Sequence, residues 1–196
     1  MVTQTFDFLY DFASPYTYLV HKVIPEIEAR TGARAVYKPV LLGGIFKASG
    51  NISPLQVAAK LTYQSADIRR FVKHHNISYQ HNPHFPEMTL NLMRGAIFAT
   101  NTAYEKTYIN TVFDAMWIKG RKMDDPNTVF KVLTSANLHA SQIIAGMAEP
   151  LVKSALITAT QDAMDRGQCG APTLSVGDEM FFGKESLREL KDLASS

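Results

Sequence analysis

Phe6, Phe8 and Tyr10 alternate with other positions near the front of the chain, and Val2 and Leu9 add apolar surface on the opposite side. This period of two over residues 3–10 predicts a largely buried strand. Asp11 to Ser14 turn the chain, and Ser14-Pro15 marks a helix start. A serine side chain caps free N–H groups there, while proline at the first helical position gives up no hydrogen bond. The helix is expected to end near Gly32, with a β-prone stretch at 33–40 after it. From Leu41 the period changes. Gly43, Gly44, Gly50 and Pro54 mark a loop. Apolar positions then recur at helical spacing over 54–76, 89–101, 106–118, 127–137 and 150–166, with breaks at Pro83, Pro86, Gly120 and Pro126. Strand pattern returns at 173–176 and 180–182, joined by the hairpin dipeptide Gly177-Asp178, and a last helix is expected over 184–193.

Strand-helix-strand, a helical stretch, then hairpin and helix is the order of an α/β, thioredoxin-like fold with a large all-helical insertion. Residues 1–42 and 167–196 would supply the two halves of one sheet, and 43–166 the helical insertion domain, return helix included. Ala171-Pro172, just ahead of the third strand, stands where such a fold places a cis proline.

Composition narrows the class. Apolar residues make up 46% and aromatics 10% of 196 residues, enough for a sizeable core. Twenty basic against eighteen acidic residues leave a net charge of +2 with no basic block, so neither nucleic acid nor an anionic membrane is an expected partner. No secretory signal pattern and no apolar run of membrane-spanning length is visible. The single cysteine, Cys169, excludes an internal disulfide and, with eight methionines, suggests the reducing cytoplasm.

The candidate chemistry sits at the first strand-helix junction. Ser14 and Thr17 occupy the places where redox proteins of this fold keep Cys-x-x-Cys. Without thiols the site cannot exchange disulfides. What survives is a helix N-terminus, whose free N–H donors and positive dipole end favour an anion such as a thiolate. Taken alone, Ser14 could equally be no more than an N-cap.

DFASPYTYL, LLGGIFKASGN, GAPTL and MFFGKESL, in this order, resemble the motifs of kappa-class glutathione transferases and bacterial 2-hydroxychromene-2-carboxylate isomerases. FPEMTLNLMRGAIFA and FDAMWIKGRKMDDP are similar to helices of that family, so the resemblance spans nearly the whole chain. It implies glutathione bound across the first helix, with Ser14 stabilising the thiolate and Asn51 and Lys60 reaching the peptide. Ala171 and Pro172 would meet the cysteinyl unit, Ala171 through its backbone groups, much as an added strand would. The family's usual Asp-Arg pair is here Glu185-Ser186. Glu185 keeps a carboxylate for an ammonium group and Ser186 a hydrogen-bond donor, but the fork of the arginine is lost. The resemblance further implies a homodimer.

Outside these motifs, Cys169 is expected to be a small buried hydrophobe, and His74, His75, His81 and His84 solvated side chains, with no partner at metal-ligand spacing. No metal site is expected. Arg94 and Trp117 are assigned to surface pairing and packing. Three functions remain open at this level. The first is a glutathione-dependent isomerase acting on 2-hydroxychromene-2-carboxylate in naphthalene-type aromatic catabolism. The second is a kappa-like transferase or peroxidase acting on other electrophiles. The third is a binding module without catalysis.

Overall fold

The computed structural model describes residues 4–50 and 57–188. Strand β1 (Thr5–Tyr10) leads into helix α1 (Pro15–Thr31) and strand β2 (Arg34–Pro39). Seven helices follow: α2 (Leu42–Ser49), α3 (Ala58–His75), α4 (Leu90–Ala99), α5 (Glu105–Trp117), α6 (Pro126–Ser135), α7 (Ala140–Gly146) and α8 (Pro150–Asp165). Strands β3 (Thr173–Val176) and β4 (Glu179–Phe182) and a 3-10 turn (Lys184–Ser186) complete the described chain. The sheet has four strands in the order β2-β1-β3-β4, with β1 parallel to β2 and antiparallel to β3.

Alternation along β1 decides what covers the sheet. Phe6, Phe8 and Tyr10 are buried in the main core, and Phe8 and Tyr10 join Phe12, Tyr37 and Phe113 in a run of ring contacts, of which Phe12–Phe113 is the tightest at 4.8 Å. Leu9 points the other way and packs with Val40, Ile45 and Ala163, which seats α2 and α8 on that face. Phe6, Phe8, Tyr10 and Leu9 are thus buried on the two sides of a central strand, while Val2 lies outside the described residues.

The predicted elements form with shifts of a few residues at their ends, and two helices were not legible. Residues 41–50 were expected to form a loop, yet α2 forms there. Gly43-Gly44 is a poor helix former, but Ile45 is fully buried and Gly44 allows close approach to the Thr160 side chain of α8. Tertiary burial outweighs propensity. The short α7 carries no side-chain cap and is held by packing, its Gly146 lying against the Phe98 ring. The helix expected over 184–193 begins as the 3-10 turn, and positions 189–193 lie outside the described residues. Among the described residues, no single helix is long and apolar enough to cross a membrane.

Candidate active site

The junction between β1 and α1 is organised by a residue the motif reading passed over. Asp11 is buried, and its carboxylate accepts from the Ala13 amide at 2.9 Å, the Leu42 amide at 2.8 Å and the Thr89 hydroxyl at 2.7 Å. One side chain therefore ties the turn before α1 to the first amide of α2 and to the N-cap residue of α4. Burial raises the pKa of Asp11, and these hydrogen bonds offset part of that rise. The only visible signal was an acidic residue between an apolar strand and a helix cap.

Ser14 caps α1 as expected. Its Oγ accepts from the Thr17 amide at 3.2 Å and donates to the Ala171 carbonyl at 3.3 Å, across the gap to the approach to β3. The Ala171-Pro172 bond is cis, as the fold required. Thr17 is fully buried, with its hydroxyl lacking a hydrogen-bond partner among the described residues, so of the two cysteine places only Ser14 reaches a cavity.

That cavity measures about 770 Å³ and opens beside Ser14 and Pro172. Its walls are mostly apolar: Leu42 and Phe46 of α2, Phe85 and Met88 ahead of α4, and Phe182 of β4. Met88 and Phe182 remain substantially exposed, which keeps a broad apolar surface open to a ligand.

Charge is held at one end of the cavity. Lys184 is only 7% exposed, and its ammonium lies 3.0 Å from the Asp67 carboxylate of α3 and also contacts Glu185. The rings of Tyr16 and Phe71 flank it at 5.6 and 5.2 Å. Burial alone would depress this ammonium's pKa, but the Glu185 and Asp67 carboxylates more than offset it and raise the value. Tyr16 donates to Asp67 at 3.0 Å, and burial followed by that carboxylate pushes its phenol up, so Tyr16 stays neutral. None of this was legible, because Asp67 and Lys184 are 117 residues apart.

A second unforeseen carboxyl lines the cavity. Glu87 is 7% exposed, with Oε1 accepting from the Met123 amide at 3.0 Å and Oε2 a long 3.5 Å from the Asn82 amide nitrogen. Burial pushes its pKa up to about 7.

Of the residues assigned from the motifs, Ser14, Lys60, Ala171, Pro172 and Glu185 line this one cavity, Lys60 from the exposed start of α3. Ser186 does not line it; its hydroxyl donates to the Phe182 carbonyl at 2.8 Å. Asn51 lies outside the described residues. Cys169, expected to be buried, is exposed. Trp117 is fully buried away from the cavity, its indole donating to the Phe12 carbonyl at 3.0 Å, and Arg94 lines a separate small cavity of about 220 Å³.

Comparison with known proteins bears on the family and the fold. The family model of the DSBA-like thioredoxin domain matches residues 5–194. A 2-hydroxychromene-2-carboxylate isomerase from Sphingobium xenophagum is 26% identical over 188 residues, with 95% of each protein covered. Glutathione S-transferase kappa 1 of Homo sapiens is 26% identical over 208 residues, covering 97% of this chain and 90% of that protein. A solved structure of a 2-hydroxychromene-2-carboxylate isomerase shares the fold with a TM-score of 0.87 at 24% identity, covering 96% of this chain and 93% of that one.

Proposed function

Because the chain belongs to the DSBA-like thioredoxin domain family yet carries no cysteine at the head of α1, we propose that it borrows the thiol of glutathione. With it, the protein isomerises 2-hydroxychromene-2-carboxylate to trans-o-hydroxybenzylidenepyruvate. The observation that carries this reading is Ser14 Oγ at the N-terminus of α1, on the wall of a large apolar cavity, its oxygen accepting from the Thr17 amide and its proton donated over a long 3.3 Å to the Ala171 carbonyl. A hydroxyl so loosely engaged gives up that carbonyl cheaply and turns its proton to an incoming sulfur.

Magnitudes are adequate. A free thiol has a pKa near 8.5, and lowering it by about two units takes roughly 2.7 kcal/mol. A charge-assisted hydrogen bond supplies about 1.5–3 kcal/mol and the helix end another 0.3–1 kcal/mol. Lys60 suits the glycyl carboxylate, Asn51 the peptide, Ala171 beside Pro172 the cysteinyl unit, and Glu185 the γ-glutamyl end, without Ser186, whose hydroxyl is turned to Phe182. The phenyl walls at Phe46 and Phe85 suit an aromatic acceptor. The thiolate is regenerated, so glutathione acts as a cofactor. We assign this activity to a homodimer in the cytoplasm, in aromatic catabolism.

A second reading, conjugation or peroxide reduction, is favoured by the equal 26% identity to the kappa transferase. Purified protein with glutathione and the chromene decides between them. Isomerisation changes the substrate's absorbance spectrum while total glutathione stays constant. An unchanged spectrum together with consumption of glutathione by a chloronitrobenzene or a hydroperoxide selects the transferase. No heat on titrating glutathione leaves only a binding module. In an active protein, Ser14→Ala is expected to lower turnover about 10–100-fold through one lost charge-assisted hydrogen bond.

A further inference from the structure

We propose that Glu87 is a catalytic residue of this site, the acid that protonates the thiol adduct and the base that takes the proton back. This rests on the glutathione-dependent isomerisation proposed above. An isomerase that adds a thiolate to a conjugated ketone needs one group able to lend a proton and recover it at neutral pH. The cavity wall offers few candidates. Asp11 spends its oxygens on hydrogen bonds to Ala13, Leu42 and Thr89. Tyr16 donates to Asp67, and Lys184 and Glu185 are paired with each other. Lys60 stands exposed at the start of α3, suited to a ligand carboxylate.

Glu87 is built differently. One oxygen is fixed by the Met123 amide, so the carboxyl is oriented, while the other, among the described residues, holds only the 3.5 Å contact to Asn82 and belongs to a residue that lines the cavity. A buried carboxyl with one anchored and one loosely held oxygen is poised to meet a ligand atom. Its surroundings keep both protonation states accessible: burial first, then Asp124, favour the acid, while the Met123 amide and Lys122 favour the carboxylate. The remaining charged groups on the cavity are Asp11, Lys60, Lys184 and Glu185.

The chemistry balances. The hemiketal ring opens first, its C2–O bond breaking as the 2-hydroxyl becomes the ketone and the hydroxyl proton passes to the phenol oxygen. The glutathione sulfur then gives its electron pair to the conjugated carbon of this open-chain keto acid, forming a C–S bond. The π electrons move onto the ketone oxygen, which takes the Glu87 proton and leaves a carboxylate. The former double bond, now single, rotates. The Glu87 carboxylate then removes the same proton, the double bond re-forms, and the C–S bond breaks to return the thiolate. Nothing is consumed.

The test compares wild type, Glu87→Gln and Glu87→Asp. Glutathione binding is followed by calorimetry, thiolate formation by ultraviolet absorbance, and turnover across pH. E87Q is expected to bind glutathione and ionise it like wild type, to lose turnover by about 100-fold or more, and to lose the limb of the pH profile near neutrality; E87D should recover part of both. Wild-type turnover in E87Q, or an unchanged pH limb, overturns the assignment. If E87Q fails to fold, a wild-type profile without an ionisation near neutrality overturns it equally. A wild-type protein that neither binds glutathione nor isomerises the chromene refutes the underlying function instead, a result separable from a defect confined to E87Q.

Discussion

His21 and Glu87 are both buried, and burial acts on them in opposite senses because one is charged when protonated and the other when not. His21 stacks on Phe113 with a 4.8 Å centroid separation and shares a 2.8 Å contact between Nδ1 and the Tyr37 hydroxyl. Desolvation, then the Lys22 charge, lowers its pKa from 6.5 to about 3. The unfolded chain therefore binds the extra proton between these values, and stability rises with pH across that window and is lost on acidification. Glu87, raised from 4.5 to about 7, works the other way. The folded state holds its proton more tightly, so stability falls as pH climbs through that interval and levels off above it. Asp11 adds to the Glu87 sense. Denaturant midpoints measured across pH should show His21→Gln flattening the acid slope and Glu87→Gln flattening the slope toward neutrality.

At the scale of elements, the Lys184–Asp67 pair joins α3 to the 3-10 turn after β4. Removing only the cation with Lys184→Met leaves Asp67 to the Tyr16 hydroxyl and the largely exposed Arg70, so its charge stays partly compensated and a cost of about 1.5–3 kcal/mol, that of one charged hydrogen bond, is expected. The Asp67→Asn/Lys184→Met double variant should recover most of that loss in a denaturation cycle. This pair also marks how far sequence patterning reaches. Ser14-Pro15, the Gly177-Asp178 hairpin and the β1 alternation were legible because each signal is local and its physical cause lies within a few residues. The α2 helix was not, since its first amide is satisfied by Asp11 from another element and its glycines argue against helix. Ser14, Ala171 and Pro172, singled out from the motifs, line one cavity, whereas Glu87 escaped notice because what distinguishes it is burial beside Met123, 36 residues on.

For the molecule as a whole, one hydrophobic cluster runs from Phe6 on the sheet through Phe113 and Trp117 of α5 to Leu133 of α6 and Ile143 of α7. The helices between β2 and β3 therefore share their core with the strands. Trp117, the sole tryptophan, donates to the Phe12 carbonyl near the head of α1 and should report on that shared core. Unfolding followed by its fluorescence is expected to coincide with unfolding followed by far-ultraviolet circular dichroism. Separate transitions would mean that the helices and the sheet melt independently.

The hydrogen bond from Ser14 to Ala171 spans 157 positions of chain. During translation the helix cap emerges early, while the carbonyl it must meet is threaded through the ribosome only after every intervening helix has been made. A nascent chain paused before Pro172 therefore has the serine but lacks the facing wall, and the cavity is complete only once the closing hairpin has docked.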